Sequence, residues 1–298
     1  MKIAFIINSR LVESKKIEEK FNAVNTFGFE FSFLPTQHAQ HAEELTLNAI
    51  ESGCKWIVSV GGDGTLNEVI NCIIMNNFTQ EVNVALLPYG TGNDYSLSIN
   101  TTNDPEKLLK AIFDHQVIKV DIGKVTSPKE GIRYFINVAD AGLGGEVTQK
   151  ISTSGNPFGK WVYYKAIFST FVSFKRPKLK ITTSDSTFNK KVLTVVIGKG
   201  ISFGGGYKIT YDAKLDDGKF FVVIVGNVSI ITYLQKIPWI LSGKRIDHPK
   251  IQYLRTSRIS LENLSDVDCF LEMDGEPSFA CPVEVECLPG LISILKVD

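Results

Sequence analysis

Two short stretches of this chain set a carboxylate among glycines directly after an apolar run. In "WIVSVGGDGTLNEVINCI" (Trp56 to Ile73), Asp63 lies between Gly61–Gly62 and Gly64, with Thr65 and Asn67 following. In "LLPYGTGNDYSLSI" (Leu86 to Ile99), Gly90, Thr91, Gly92 and Asn93 precede Asp94. Glycine lets a backbone come close to a ligand. A helix that starts after such a loop turns its first N–H groups and the positive end of its dipole towards it, which favours phosphate. A carboxylate suits that place only with a cation between, as when magnesium joins carboxylate and phosphate oxygens in phosphoryl transfer. The first stretch alone fits equally well a structural turn in which Asp63 caps the helix, although Thr65 is also near the cap position. It is neither GxxxxGK[ST] nor GxGxxG.

Such loops need a parallel sheet to hold them side by side. "KIAFII" is an unbroken apolar run, the mark of a strand buried on both faces. "FEFSFLPT", "WIVSV" and "VALLP" are further strands, and "HAEELTLNAIES", "TLNEVINCIIMN" and "DPEKLLKAIFDH" read as helices, the last with Asp104 as N-cap and Pro105 in its first turn. Strand–helix alternation predicts an α/β N-terminal domain with a mainly parallel sheet. Its C-terminal edge is where such sheets bind ligands. Beyond about residue 117 short strands dominate, from "VIKVDIGKV" to "LISILKV", interrupted by a helix over Phe158 to Phe174 and a shorter one near "SIITYLQKIPWILSG". This predicts a mostly antiparallel β-sandwich. The expected division is 1–120 for an α/β domain, with 290–298 able to pack back on it, and 121–289 for a β-rich domain.

Composition narrows the classes. Lys plus Arg and Asp plus Glu are 32 each among 298 residues, which argues against a general nucleic-acid binder. Five cysteines without a CxxC pair read as buried, reduced thiols. The N-terminal apolar run is short for a secretory signal, and "FFVVIVGNVSII" is short for a bilayer span. A cytoplasmic protein, peripheral at the membrane, is the expectation.

"GGDGTLNEV" followed by "PYGTGND" resembles the diacylglycerol kinase catalytic-domain family, which includes soluble bacterial lipid kinases and sphingosine kinases. "DIGKV", "FINVADAGLGGEV", "FGGGYKITYDAKLDDGKFFVVIV" and "MDGEP" match later landmarks of the family in order, so the resemblance covers nearly the whole chain. The first motif alone also occurs in NAD kinases and phosphofructokinase-like enzymes; the set is more specific. The resemblance implies ATP as phosphate donor, with Asn8, Thr36, Gly61, Gly62, Asp63, Gly64, Thr65, Asn67, Gly90, Thr91 and Asn93 lining the nucleotide. It implies that Asp63 organises a catalytic Mg2+, that Asp94 and Asp121 belong to the same acidic network, and that Glu276 accepts the proton. It also implies a separate structural Mg2+ at Asp217 and the carbonyls of Lys214 and Lys219. From local sequence alone, "DGE" is an ordinary hairpin turn. Two family features are missing: the Pro/Gly turn after the first strand, here "NSRLVES", and an arginine soon after "GTGND". Neither Arg10 nor Lys15 is assigned to the phosphates.

The segment Lys160 to Lys180 has six aromatics, six basic residues and no acid. It fits a membrane-surface helix or a helix with its aromatic side on the sandwich. Lys175, Arg176, Lys178 and Lys180 are the better membrane candidates, and "YLQKIPWILSGKR" is a weaker one. The expected function is ATP- and Mg-dependent phosphorylation of a lipid hydroxyl, first of all diacylglycerol, giving phosphatidic acid. The alternatives are an NAD kinase-like enzyme with a soluble substrate, and a catalytically inactive nucleotide- or lipid-binding protein. A homodimer is compatible with the sequence.

Overall fold

The computed structural model describes residues 1–90, 92–154 and 160–297, with only the backbone at 154 and 160–164. Thr91 therefore lies outside the described residues, as do the side chains of 160–164 in the basic–aromatic segment. The chain divides into two compact units, Met1–Val120 with Gly290–Asp298, and Asp121–Pro289.

The first unit runs β1 (Lys2–Ile7), α1 (Ser14–Ala23), β2 (Glu30–Pro35), α2 (His41–Glu51), β3 (Trp56–Gly61), α3 (Asp63–Met75), β4 (Asn83–Pro88), α4 (Ser96–Ile99) and α5 (Pro105–Phe113). Its strands pair in parallel in the order β4-β3-β1-β2. Every residue of β3 and all but the first of β1 are buried, which explains their unbroken apolar character. Asp104 caps α5 by accepting the amides of Glu106 (3.0 Å) and Lys107 (3.4 Å). Helix α1 has no clear sequence signal because only Ile17 and Phe21, one turn apart, are buried. From β1 the chain crosses to β2 on one side, then returns past β1 to β3 on the other. The loops after β1 and β3 therefore diverge at a topological switch point.

The second unit contains β5 (Val117–Ser127), β6 (Gly131–Phe135), β7 (Val138–Gly142), α6 (Leu143–Ser154), α7 (Lys160–Ser173), β8 (Lys178–Thr183), β9 (Thr187–Gly198), β10 (Phe220–Gly226), α8 (Ile230–Ser242), β11 (Ile251–Thr256), β12 (Arg258–Asn263), β13 (Phe270–Met273), β14 (Glu276–Ala280) and β15 (Val283–Leu295). Strands β13, β7, β9, β10 and β11 form one antiparallel sheet, and the first half of β9 continues into β8, β12 and β15 in a second. Phe220, Val222 and Ile224 face the sandwich core. Phe221, Val223 and Val225, on the opposite face, pack with Leu143, Val147, Ile167 and Phe171 of α6 and α7. The apolar run in β10 is thus a strand covered on both faces. The first residues of β5 and the last of β15 belong to the first unit, where Ile294 pairs in parallel with Val84 of β4.

Three elements differ from the sequence pattern. Helix α6 begins with Gly144 and Gly145, poor helix formers; a Cβ at Gly144 would lie 2.1 Å from Asp140 Oδ2, and one at Gly145 2.1 Å from the Phe270 carbonyl. "KIQYLRTSRISLEN" is two strands broken at Ser257, and "VEVEC" and "LISILKV" are parts of the single strand β15. The cysteines are free and all but Cys281 are buried. Burial pushes the Cys72 thiol up to about 11 and Cys287 up to about 12, which keeps both unreactive. Among the described residues no helix is long and apolar enough to cross a membrane.

Candidate active site

The glycine loops after β3 and β4 are packed against each other. A Cβ on Gly90 would lie 2.4 Å from Gly62 Cα, and one on Gly61 2.5 Å from Thr65 Oγ1. Gly61, Gly62 and Gly90 have no left-handed φ, so they are required for close approach rather than for an unusual backbone conformation. Asp63 does not cap its own helix; Gly62 holds the N-cap position. Its carboxylate instead accepts the amides of Asp94 (Oδ2, 2.9 Å) and Tyr95 (Oδ1, 3.1 Å), tying one loop to the other. Thr65 is likewise not a cap: its hydroxyl accepts Asn8 Nδ2 at 3.1 Å, joining the β1 loop to α3 at the switch point. Thr36 joins the same edge, its Oγ1 accepting the Ser9 amide at 3.4 Å. Asn67 is buried and accepts Asn71 Nδ2 at 3.0 Å. Lys15 is paired with Glu19 at 3.9 Å.

This edge fits a nucleotide with its metal. A Cβ on Gly92 would be 3.3 Å from Asp94 Oδ2 and 3.5 Å from Asp63 Oδ2, so the two carboxylates converge. Asn93 Nδ2 donates to the Gly90 carbonyl at 2.7 Å, whereas its buried Oδ1 has no hydrogen-bond partner among the described residues. The same residues contain no cluster of three or more metal-ligating side chains. Magnesium in kinases commonly uses one or two carboxylates and takes its other ligands from phosphate and water.

In the second unit, Asp274 and Gly275 have φ of 51° and 86° and make the two-residue turn between β13 and β14. Glu276 opens β14, and Arg133 Nη2 of β6 donates to its Oε2 at 2.8 Å. Sequence reading had no local signal for Arg133, which is 143 positions away. It also missed Asp274. This buried carboxylate accepts the amides of Ile136 (2.9 Å), Asn137 (2.9 Å) and Val138 (3.0 Å) and so fixes the hairpin on the entry to β7. Asp274→Ala should lower stability by about 3–5 kcal/mol, since it strands buried amides and puts alanine at positive φ. Asp274→Asn should lose less, and urea midpoints would measure both.

Asp121 and Asp217 lie in one ion-pair network. Asp121 is only 2% exposed, and its Oδ2 is held by Lys199 Nζ at 2.7 Å and by the Gly218 amide at 2.7 Å. A carboxylate so enclosed is paired with a fixed cation inside the second unit. Of the oxygens expected to hold a structural magnesium, those of Asp217 and Lys219 accept hydrogen bonds. Lys199 Nζ donates to Asp217 Oδ1 (3.1 Å) and the Lys219 carbonyl (2.9 Å), and Arg255 Nη1 donates to Asp217 Oδ2 (2.8 Å). Among the described residues Lys214 takes no part in this network. Burial raises the Asp217 carboxyl, but Lys199, the Lys219 amide and Arg255 outweigh it and hold the group below its ordinary range.

The same unit has an apolar pocket, partly open to solvent, between the outer sheet face and the helices. Leu143, Ile167, Val225, Tyr233 and Ile240 are among its walls, and Asp140 is its buried acid. Burial pushes the Asp140 carboxyl up to about 7, although the Thr194 hydroxyl donates to it. Outside the pocket, Phe168 and Val172 of α7 and Ile231, Leu234, Trp239 and Leu241 of α8 are exposed. In the basic cluster expected at a membrane, Arg176 donates to the Val228 carbonyl at 3.1 Å and Lys180 pairs with Glu262 at 3.0 Å. Among the described residues, α8, the weaker sequence candidate, has four exposed large apolar side chains and α7 two.

Residues 2–125 match the family model described as diacylglycerol kinase catalytic domain, and residues 137–296 match that described as YegS C-terminal NAD kinase beta sandwich-like domain. A diacylglycerol kinase of Staphylococcus saprophyticus is 31% identical over 256 residues, covering 84% of this chain and 79% of the relative. One of Staphylococcus carnosus is 30% identical over 250 residues, with the same shares. A solved structure described as a diacylglycerol kinase from Bacillus anthracis has a TM-score of 0.73 at 20% identity, over 99% of this chain and 96% of that one, a likeness of fold.

Proposed function

Because the chain belongs to the diacylglycerol kinase catalytic-domain family, and is a lipid kinase with ATP as phosphate donor, we propose that its acceptor is the free hydroxyl of diacylglycerol and its product phosphatidic acid. The observation that carries this reading is the convergence of Asp63 and Asp94 over Gly92, in a loop pair too close for side chains at Gly62 and Gly90. Asn8, Thr36, the glycines, Thr65, Asn67 and Asn93 line the triphosphate in this reading. Asp63 and Asp94 hold its Mg2+, which when bound offsets phosphate charge and aligns the γ-phosphoryl group.

A lipid alcohol is a weak acid, so a carboxylate must take its proton as the oxygen attacks phosphorus. Glu276 has that role here, and Arg133 restrains the side chain through Oε2. The apolar pocket, lined almost wholly by carbon, takes acyl chain. Purified protein with labelled ATP and diacylglycerol in mixed micelles should yield labelled phosphatidic acid. No transfer to this lipid or to other lipid alcohols would overturn the reading.

The exposed apolar residues of α7 and α8 dock on the bilayer that holds the substrate. They are neighbours in sequence of pocket residues: Phe168 follows Ile167, and Ile231 and Leu234 flank Thr232 and Tyr233. Lys165 and Lys175 are exposed on the α7 side and Lys244 beyond α8, which suits anionic headgroups. Replacing Ile231 and Trp239 by Ser should weaken binding to anionic vesicles at least about tenfold. Activity on a short-chain diacylglycerol dispersed in water should stay at the parent level.

A further inference from the structure

We propose that Lys199 is the resident cation of the second unit, its ammonium standing where the family resemblance implies a structural magnesium, so that this unit folds and stays folded without bound metal. Lys199 has no exposed surface. An ammonium has exactly three donors in a lysine side chain, and all have acceptors: Asp121 Oδ2 at 2.7 Å, Asp217 Oδ1 at 3.1 Å and the Lys219 carbonyl at 2.9 Å. The remaining Asp217 oxygen is taken by Arg255 at 2.8 Å, whose other nitrogen pairs with Asp212 at 2.8 Å. Three carboxylates, Asp121, Asp212 and Asp217, thus face two fixed cations, Lys199 and Arg255.

A magnesium ion needs ligand oxygens at about 2.1 Å in an octahedral set. Two of the three groups it would use, the Asp217 carboxylate and the Lys219 carbonyl, lie at hydrogen-bond distance from Nζ. Lys199 would have to withdraw from these oxygens before a divalent ion could take the same place. The network also has a fold-building role that an exchangeable ion would perform only when bound. Asp121 begins the second unit and its amide bonds the Leu215 carbonyl at 2.7 Å, while its carboxylate takes the Gly218 amide. Lys199 directly follows β9, and its amide bonds the Asn137 carbonyl at 2.8 Å. The lysine therefore joins the β9 end, the start of the unit and the "KLDDGK" loop through one charge that cannot dissociate.

The test uses the full chain without nucleotide. After treatment with chelator and desalting, elemental analysis should find no stoichiometric magnesium or calcium, and the thermal midpoint should be the same in chelator as in millimolar magnesium. One tightly held divalent ion per chain, whose removal lowers the midpoint, would overturn the proposal. Lys199→Met keeps the length of the side chain and removes its charge. In chelator it should melt well below the parent; a variant melting with the parent would equally overturn the proposal. Should that variant not fold, the metal content and melting of the parent still decide it.

Discussion

Asp63→Asn is expected to lower kcat by about 10²–10³-fold, the scale of losing one preorganised electrostatic contact at a reacting group. Far-UV circular dichroism should be unchanged. The variant keeps the shape of the side chain but replaces one acceptor by an NH2 group facing the amide of Asp94 or Tyr95. That mismatch costs about 1–3 kcal/mol and would appear as a lower melting midpoint. The loss of negative charge would appear separately, as weaker dependence of the rate on magnesium. If Asp63→Asn loses stability but keeps the parent kcat, Asp63 is only a tie between loops.

Glu276→Gln should lower kcat by about 10²–10⁴-fold, the usual contribution of a positioned proton acceptor. Glutamine can still accept from Arg133 at the same place, so stability should change little. Arg133→Met separates positioning from chemistry: its rate should fall by less. Equal kcat in parent and Glu276→Gln would remove Glu276 from the reaction.

What was legible in the sequence was periodic or local. The parallel strands declared themselves because β1 and β3 are buried on both faces, and the α5 cap because Asp104 bonds its own helix. The glycine loops were visible as motifs, but their reason was not. Gly62 and Gly90 make room for each other, a contact that neither segment contains alone. The same limit hid Arg133, Asp274 and Lys199, whose partners lie 143, 136 to 138, and 18 to 78 positions away. Lys199 follows a buried strand and has nothing local to mark it as interior; only the carboxylates brought to it by the sandwich make the charge tolerable. Helix α6 was hidden for the opposite reason. Its glycines argue against a helix locally, and close packing on Asp140 and the Phe270 carbonyl demands them.

The β3–β4 ladder has a consequence for how the enzyme can fail. Gly61 is in register with Pro88, and one step beyond that pair the two loops interlock. Each residue of strand advances about 3.3 Å, further than a hydrogen bond can stretch. A slip of the ladder by one residue would therefore uncouple Asp63 from the Asp94 and Tyr95 amides even with every loop residue intact. The loops behave like the wards of a lock whose alignment is set along the shaft. Substitutions deep in β3 or β4 that loosen this register belong among the inactivating ones, and a screen confined to the conspicuous motifs would pass over them.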